Sequence, residues 1–93
     1  MTPEGKVKAA VKARLNALGA YWYMPVSNGM GRVGAPDFIV CWCGRFFGIE
    51  TKAPGKRNNT TPNQRREGDA IGAAGGTWAV VDDPAQLDQL FME

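Results

Sequence analysis

Pro36-Asp37-Phe38-Ile39-Val40-Cys41-Trp42-Cys43-Gly44-Arg45-Phe46-Phe47-Gly48-Ile49-Glu50-Thr51-Lys52 runs as two apolar arms around a small, turn-forming centre. Two β-rich runs separated by two residues, the second a glycine, predict a hairpin with Cys43-Gly44 at its tip. Pairing outward from that tip sets Trp42 against Arg45 and Cys41 against Phe46, and it brings Asp37 directly opposite Glu50. Directly opposed side chains lie roughly 5 Å apart at Cβ. Side chains alternate along a strand, so Lys52 shares the face of Glu50. The hairpin therefore gathers two carboxylates and an ammonium at its open end. The other positions are apolar on both faces, Phe38, Val40 and Trp42 one way and Ile39 and Phe46 the other, as expected of strands covered on both sides.

Upstream, Thr2-Pro3 is a cap and first turn, Val7, Val11, Leu15 and Leu18 recur at helical spacing, and Gly19 stops the helix. Glu4 falls on the same inward face, where the helix dipole alone could account for it. Tyr21 to Val26 reads as a strand, ended by Pro25 or shortly after, and Ser27 to Pro36, with Gly29, Gly31 and Gly34, as a loop carrying Arg32. Downstream, Ala53 to Thr60 is a basic loop. Thr61-Pro62-Asn63-Gln64 has the spacing of a capping box, opening a helix to about Ala74 before Gly75-Gly76. Thr77 to Val81 is a strand, and Asp83-Pro84 opens a last short helix through Leu87, Leu90 and Phe91. The order is α-β-β-β-α-β-α in one domain spanning residues 1–93, without repeats.

At 93 residues, 44% of them hydrophobic, the chain suits a single small globular domain. No apolar run approaches membrane-spanning length, and Met1-Thr2-Pro3-Glu4 lacks signal-peptide grammar, so a cytosolic protein is expected; its compact form fits a bacterial or phage-infected cell. Cys41 and Cys43 are too close in sequence for good disulfide geometry, and without histidine or a third cysteine they make no thiolate metal site. Both read as buried small apolar residues. The net charge of +2 is unevenly spread. Lys6, Lys8, Lys12 and Arg14 cluster early and Lys52, Lys56, Arg57, Arg65 and Arg66 later, while Asp82, Asp83, Asp88 and Glu93 lie toward the C-terminus. A basic first two-thirds suits a polyanion as well as it suits a solvated face.

Opposed carboxylates destabilise a sheet unless a cation compensates. Lys52 could serve as a plain ion-pair partner. An all-oxygen donor set at the end of a covered hairpin instead favours a hard cation, Mg²⁺ or Mn²⁺. Pro36-Asp37, twelve residues, then Glu50-Thr51-Lys52 resembles the PD-(D/E)xK signature of restriction-endonuclease-like nucleases. With Glu4 in the first helix, Gly34 before Pro36-Asp37, Gln64 opening the next helix and Gly75-Gly76 before a strand, essentially the whole chain resembles the VRR-NUC (virus-type replication-repair nuclease) family. That resemblance implies an α/β restriction-endonuclease-like core with a mixed central sheet flanked by helices.

It further implies that Asp37 and Glu50 are metal ligands, with the main-chain carbonyl of Thr51 a third. Lys52 would hold the attacking water, Glu4 would act on the metal through water, and Gln64 would orient Lys52 or the phosphate. Gln64 serves equally well as a cap. Lys6, Arg32, Lys56, Arg57, Arg65 and Arg66 are the candidates for gripping phosphates, and the Lys56-Arg57 loop departs from the family pattern. The expected function is metal-dependent cleavage of branched DNA, four-way junctions first, by a homodimer. The alternatives are a nuclease-fold module that binds without cutting, or a flap- or RNA-directed nuclease.

Overall fold

The computed structural model describes residues 1–26 and 32–92. Seven elements follow one another: α1 (Pro3–Leu18), β1 (Tyr21–Tyr23), β2 (Phe38–Trp42), β3 (Arg45–Thr51), α2 (Pro62–Ala73), β4 (Thr77–Val81) and α3 (Ala85–Met92). The strands form one four-stranded sheet in the order β1-β2-β3-β4. β1–β2 and β2–β3 are antiparallel, and β4 joins β3 in parallel. The parallel pair requires a crossover, and α2 supplies it. This is the mixed sheet with flanking helices expected from the sequence.

The β2–β3 register is Trp42 with Arg45, Cys41 with Phe46, and so on to Phe38 with Ile49. The hairpin turns on Cys43 (φ 50°) and Gly44 (φ 74°), so both central residues have positive φ, as a type I′ turn requires. α1 starts on the Thr2 hydroxyl, which accepts from the Gly5 N–H, and ends at Gly19.

α1 and α3 cover one face of the sheet. Val7, Val11, Leu15, Phe38, Val40, Phe47, Ile49, Val81, Leu87 and Phe91 form the buried core there. Phe91 meets the rings of Trp42 and Phe47 edge-on, at centroid distances of 5.2 and 4.7 Å. α2 covers the β3–β4 half of the opposite face. It can lie close because residue 68 is glycine: a Cβ there would come within 2.2 Å of the Trp78 ring.

Three expectations require correction. The strand read over Tyr21–Val26 pairs only at Tyr21–Tyr23, and Val26 is exposed. Cys41 and Cys43 are both exposed rather than buried. The hairpin is not covered on both faces, since Phe46 is 44% exposed. One cause joins the last two. Tyr21, Cys41 and Phe46 lie side by side on the sheet face over which α2 does not extend, and Cys43 sits in the turn itself. The loop read over Ser27–Pro36 lies partly outside the described residues, including its Gly29 and Gly31, as does the C-terminal Glu93.

Candidate active site

The chain bends just before β2, so Asp37 stands at the sheet end beside the last residues of β3. Its Oδ2 accepts from the Thr51 backbone N–H (2.9 Å) and from the Thr51 hydroxyl (2.7 Å), which fix the carboxylate's orientation. Glu50 is 2% exposed, and its Oε2 is buried without a hydrogen-bond partner. Burial first, then the charge of Asp37 and a hydrogen bond shared with it, push the Glu50 carboxyl up to about 8, while Lys52 and Lys8 pull it back. Desolvation and a like charge are the two forces that make a carboxyl hold its proton.

Lys52 follows β3, and its Nζ donates to Gln64 Oε1 at 3.2 Å. The same Oε1 accepts from the Thr61 N–H at 2.9 Å, and the Gln64 N–H donates to the Thr61 hydroxyl at 3.1 Å. Gln64 therefore completes a capping box and positions Lys52 at once, and the two readings of this residue are not exclusive. Gly34 makes this approach possible. Its φ is 84°, and a Cβ would fall 2.5 Å from the Asn63 carbonyl carbon, so only glycine lets the segment before Pro36-Asp37 rest against the start of α2.

From the opposite layer, α1 contributes Glu4 and Lys8. Lys8 Nζ lies 3.6 Å from Glu4 Oε2 and 3.9 Å from Asp37 Oδ2, so the ammonium stands between the two carboxylates. Lys8, Pro36, Asp37, Thr61 and Gln64 line a common cleft of about 580 Å³. The sequence reading passed over Lys8 and the Thr51 side chain. Lys8 was findable, because a lysine four residues after an inward glutamate shares its helix face. The Thr51 hydroxyl had no such signal, since its bond depends on the bend at Asp37.

The basic candidates are dispersed. Arg32 is held by Glu67 through two bonds of 2.9 and 3.0 Å, tying the loop before β2 to α2. Arg57 Nε donates to the Val80 carbonyl (3.1 Å), Arg65 to the Thr60 carbonyl, and Arg66 to Asn63 Oδ1 (2.7 Å). Lys6 and Lys56 are exposed. Arg57, Arg65, Asn58, Thr60 and Trp78 share a groove of about 800 Å³ along β4, with Asp82 also in its lining.

Among the described residues, no three acidic, histidine or cysteine side chains close into a ready cage. The donors that do converge are carboxylate oxygens, and the buried, unpartnered Glu50 Oε2 is an acceptor that a hard divalent cation would satisfy. Asp37, Glu50 and neighbouring main-chain oxygen thus fit Mg²⁺ or Mn²⁺, with water completing the shell.

A solved structure described as a VRR_NUC domain matches this chain with a TM-score of 0.76 and 33% sequence identity, covering 100% of this chain and 98% of that one. No protein-family model matches the chain, and no curated protein does.

Proposed function

The chain belongs to the VRR-NUC family of nuclease domains, and from that premise we propose that it is a divalent-metal-dependent endonuclease that hydrolyses phosphodiester bonds in branched DNA. The observation that carries this reading is that Asp37 stands close enough to the buried Glu50 at the open end of the hairpin to raise its pKa, with one Glu50 carboxylate oxygen left without a protein partner. Purely structural ion pairs satisfy their acceptors, and an unsatisfied buried one is costly unless a ligand repays it.

Asp37 and Glu50, with the Thr51 carbonyl, would hold the metal, and Thr51 orients Asp37 through its N–H and hydroxyl. The chemistry that a bound ion would supply there is activation of water and compensation of charge building on the phosphate. Lys52, held by Gln64, presents its ammonium to the attacking water and the phosphate oxygen. Glu4 acts on the same site through water from α1. Lys6 and Lys56, and Arg32, Arg57, Arg65 and Arg66 on exchanging their present protein partners for phosphate oxygens, grip backbone phosphates, with affinity rather than base sequence as the result.

A domain this small has little surface for recognising a branch, so the proposed acting form is a homodimer, with four-way junctions as the preferred substrate. Tyr21 and Phe46, 69% and 44% exposed, with the exposed Cys41 between them, make an uncharged sheet face. Such a face meets its own copy without like-charge repulsion, and it is the surface expected to carry the two-fold contact.

The test is cleavage of labelled linear, flap and four-way-junction DNA, and of matched RNA, in Mg²⁺, Mn²⁺ or EDTA. Asp37→Asn is run beside the wild type, with circular dichroism confirming that both are folded. Metal-dependent cutting that falls by about two orders of magnitude or more in the variant is expected. Tight binding with no cutting of any substrate by the wild type would replace the nuclease with a binding module.

A further inference from the structure

Lys8 is a charge at the centre of the site with no part in the chemistry proposed above. It sits one turn after Glu4 on α1, with its side chain 30% exposed and its Nζ between Glu4 Oε2 and Asp37 Oδ2. The distances, 3.6 and 3.9 Å, are those of Coulombic contact rather than of short, directed hydrogen bonds. Lys52, the other ammonium nearby, is held by the Gln64 side chain at 3.2 Å. Of the two cations facing the carboxylates, one is anchored and one is loosely held.

We propose that Lys8 is a built-in counter-cation that competes with the divalent metal for the Glu4 and Asp37 carboxylates, and so sets how tightly the metal binds. The inference rests on the metal-dependent reading above. Glu4, Asp37 and Glu50 bring up to three negative charges to one sheet end, and Lys8 and Lys52 return two positive ones. An arriving dication gains from the carboxylates and is repelled by both ammonium groups. Removing the Lys8 charge removes part of that repulsion and leaves the carboxylates less compensated. A long lysine stem can swing its ammonium into the adjoining cleft when a stronger cation takes its place, which an ion pair fixed by directed hydrogen bonds would resist. That weak hold distinguishes a displaceable charge from a strut.

The experiment compares wild type, Lys8→Met and Lys8→Arg, each stripped with EDTA and dialysed. Mn²⁺ binding is measured by calorimetry and by the shift in Tm that Mn²⁺ produces. Lys8→Met is expected to bind Mn²⁺ on the order of tenfold more tightly, because one repelling charge is gone at short range and partial exposure. Its Tm in EDTA is expected to fall, and its Mn²⁺-induced rise in Tm to exceed that of the wild type. Lys8→Arg keeps the charge and is expected to stay near wild type in affinity. A purely structural lysine would lower Tm in EDTA and in Mn²⁺ alike and leave the affinity unchanged, which overturns the inference while the metal site stands. No Mn²⁺ binding by the wild type would overturn the metal-dependent reading and this inference together.

Discussion

Glu50 keeps its proton because burial and the neighbouring Asp37 make a second negative charge expensive, and this has a measurable pH signature in protein held in EDTA. Its folded-state pKa of about 8 lies above the ordinary glutamate value of 4.5. Below the lower value both folded and unfolded chains carry the proton. Between the two values only the folded chain does, so stability falls as pH rises through this window and levels off above it. Glu50→Gln removes the titration while preserving shape. In EDTA its Tm is expected to exceed that of the wild type at about pH 8.5, with a smaller difference at about pH 5. A wild type no more sensitive than the variant to that change would show that Glu50 is ionised throughout. Because a metal-binding carboxylate must first lose its proton, Mn²⁺ uptake is expected to release protons in the same window. At this scale much was legible from strand parity alone: the register out from Cys43-Gly44 holds as far as Phe38 with Ile49, but Asp37 lies one step beyond the ladder and bends to Thr51 instead of facing Glu50 as a ladder partner. Lys8 was legible only in part: its place one turn after Glu4 is a local pattern, but its approach to Asp37 depends on how α1 lies across the sheet end, and no local pattern encodes that docking.

α2 is the element whose details bear most directly on the site. Its side chains contribute little to the core, with Gly68 its buried residue, so its placement depends on its cap, on contacts of Gly68 with Trp78 and of Ile71 with Gly48, and on the Arg32–Glu67 bonds. Thr61→Ala loses the hydroxyl that accepts from the Gln64 N–H but keeps the Thr61 N–H bond to Gln64 Oε1. A loss of about 1 kcal/mol in urea unfolding is expected, with Lys52 still held. Gln64→Ala removes the partner of Lys52 as well, and its cleavage rate should fall further than that of Thr61→Ala at matched stability. Equal rates would reduce Gln64 to a cap. Gly68→Ala drives a methyl into the Trp78 ring and is expected to cost about 3 kcal/mol or more, read from the same urea curves. The start of α2 was legible because Thr61-Pro62-Asn63-Gln64 is a local signal. The length of β1 was legible only in part: Pro25 bounds it, but that Met24 stays unpaired was not, since pairing is a property of two segments.

For the molecule as a whole, the unexpected exposure of Tyr21, Cys41 and Phe46 bears on assembly. Phe46→Lys would place two like charges across a two-fold contact, and light scattering during size-exclusion chromatography is expected to give monomer mass where the wild type gives dimer. An unchanged dimer would move the contact elsewhere. Alternation in the hairpin showed which residues share a face, but the span of α2 determines whether that face is covered, and helix reach is a tertiary quantity. The site itself draws Glu4 and Lys8 from α1, Asp37, Glu50 and Lys52 from the hairpin, and Gln64 from a helix that must cross back over the sheet before β4 can pair. While the chain is still leaving the ribosome, the early carboxylates are made before Gln64 and before the strand that closes the sheet. A chain ending near Lys52 would carry Glu4, Asp37, Glu50 and Lys52 but lack both Gln64 and the strand that closes the sheet, so the site is complete only once most of the chain has been made.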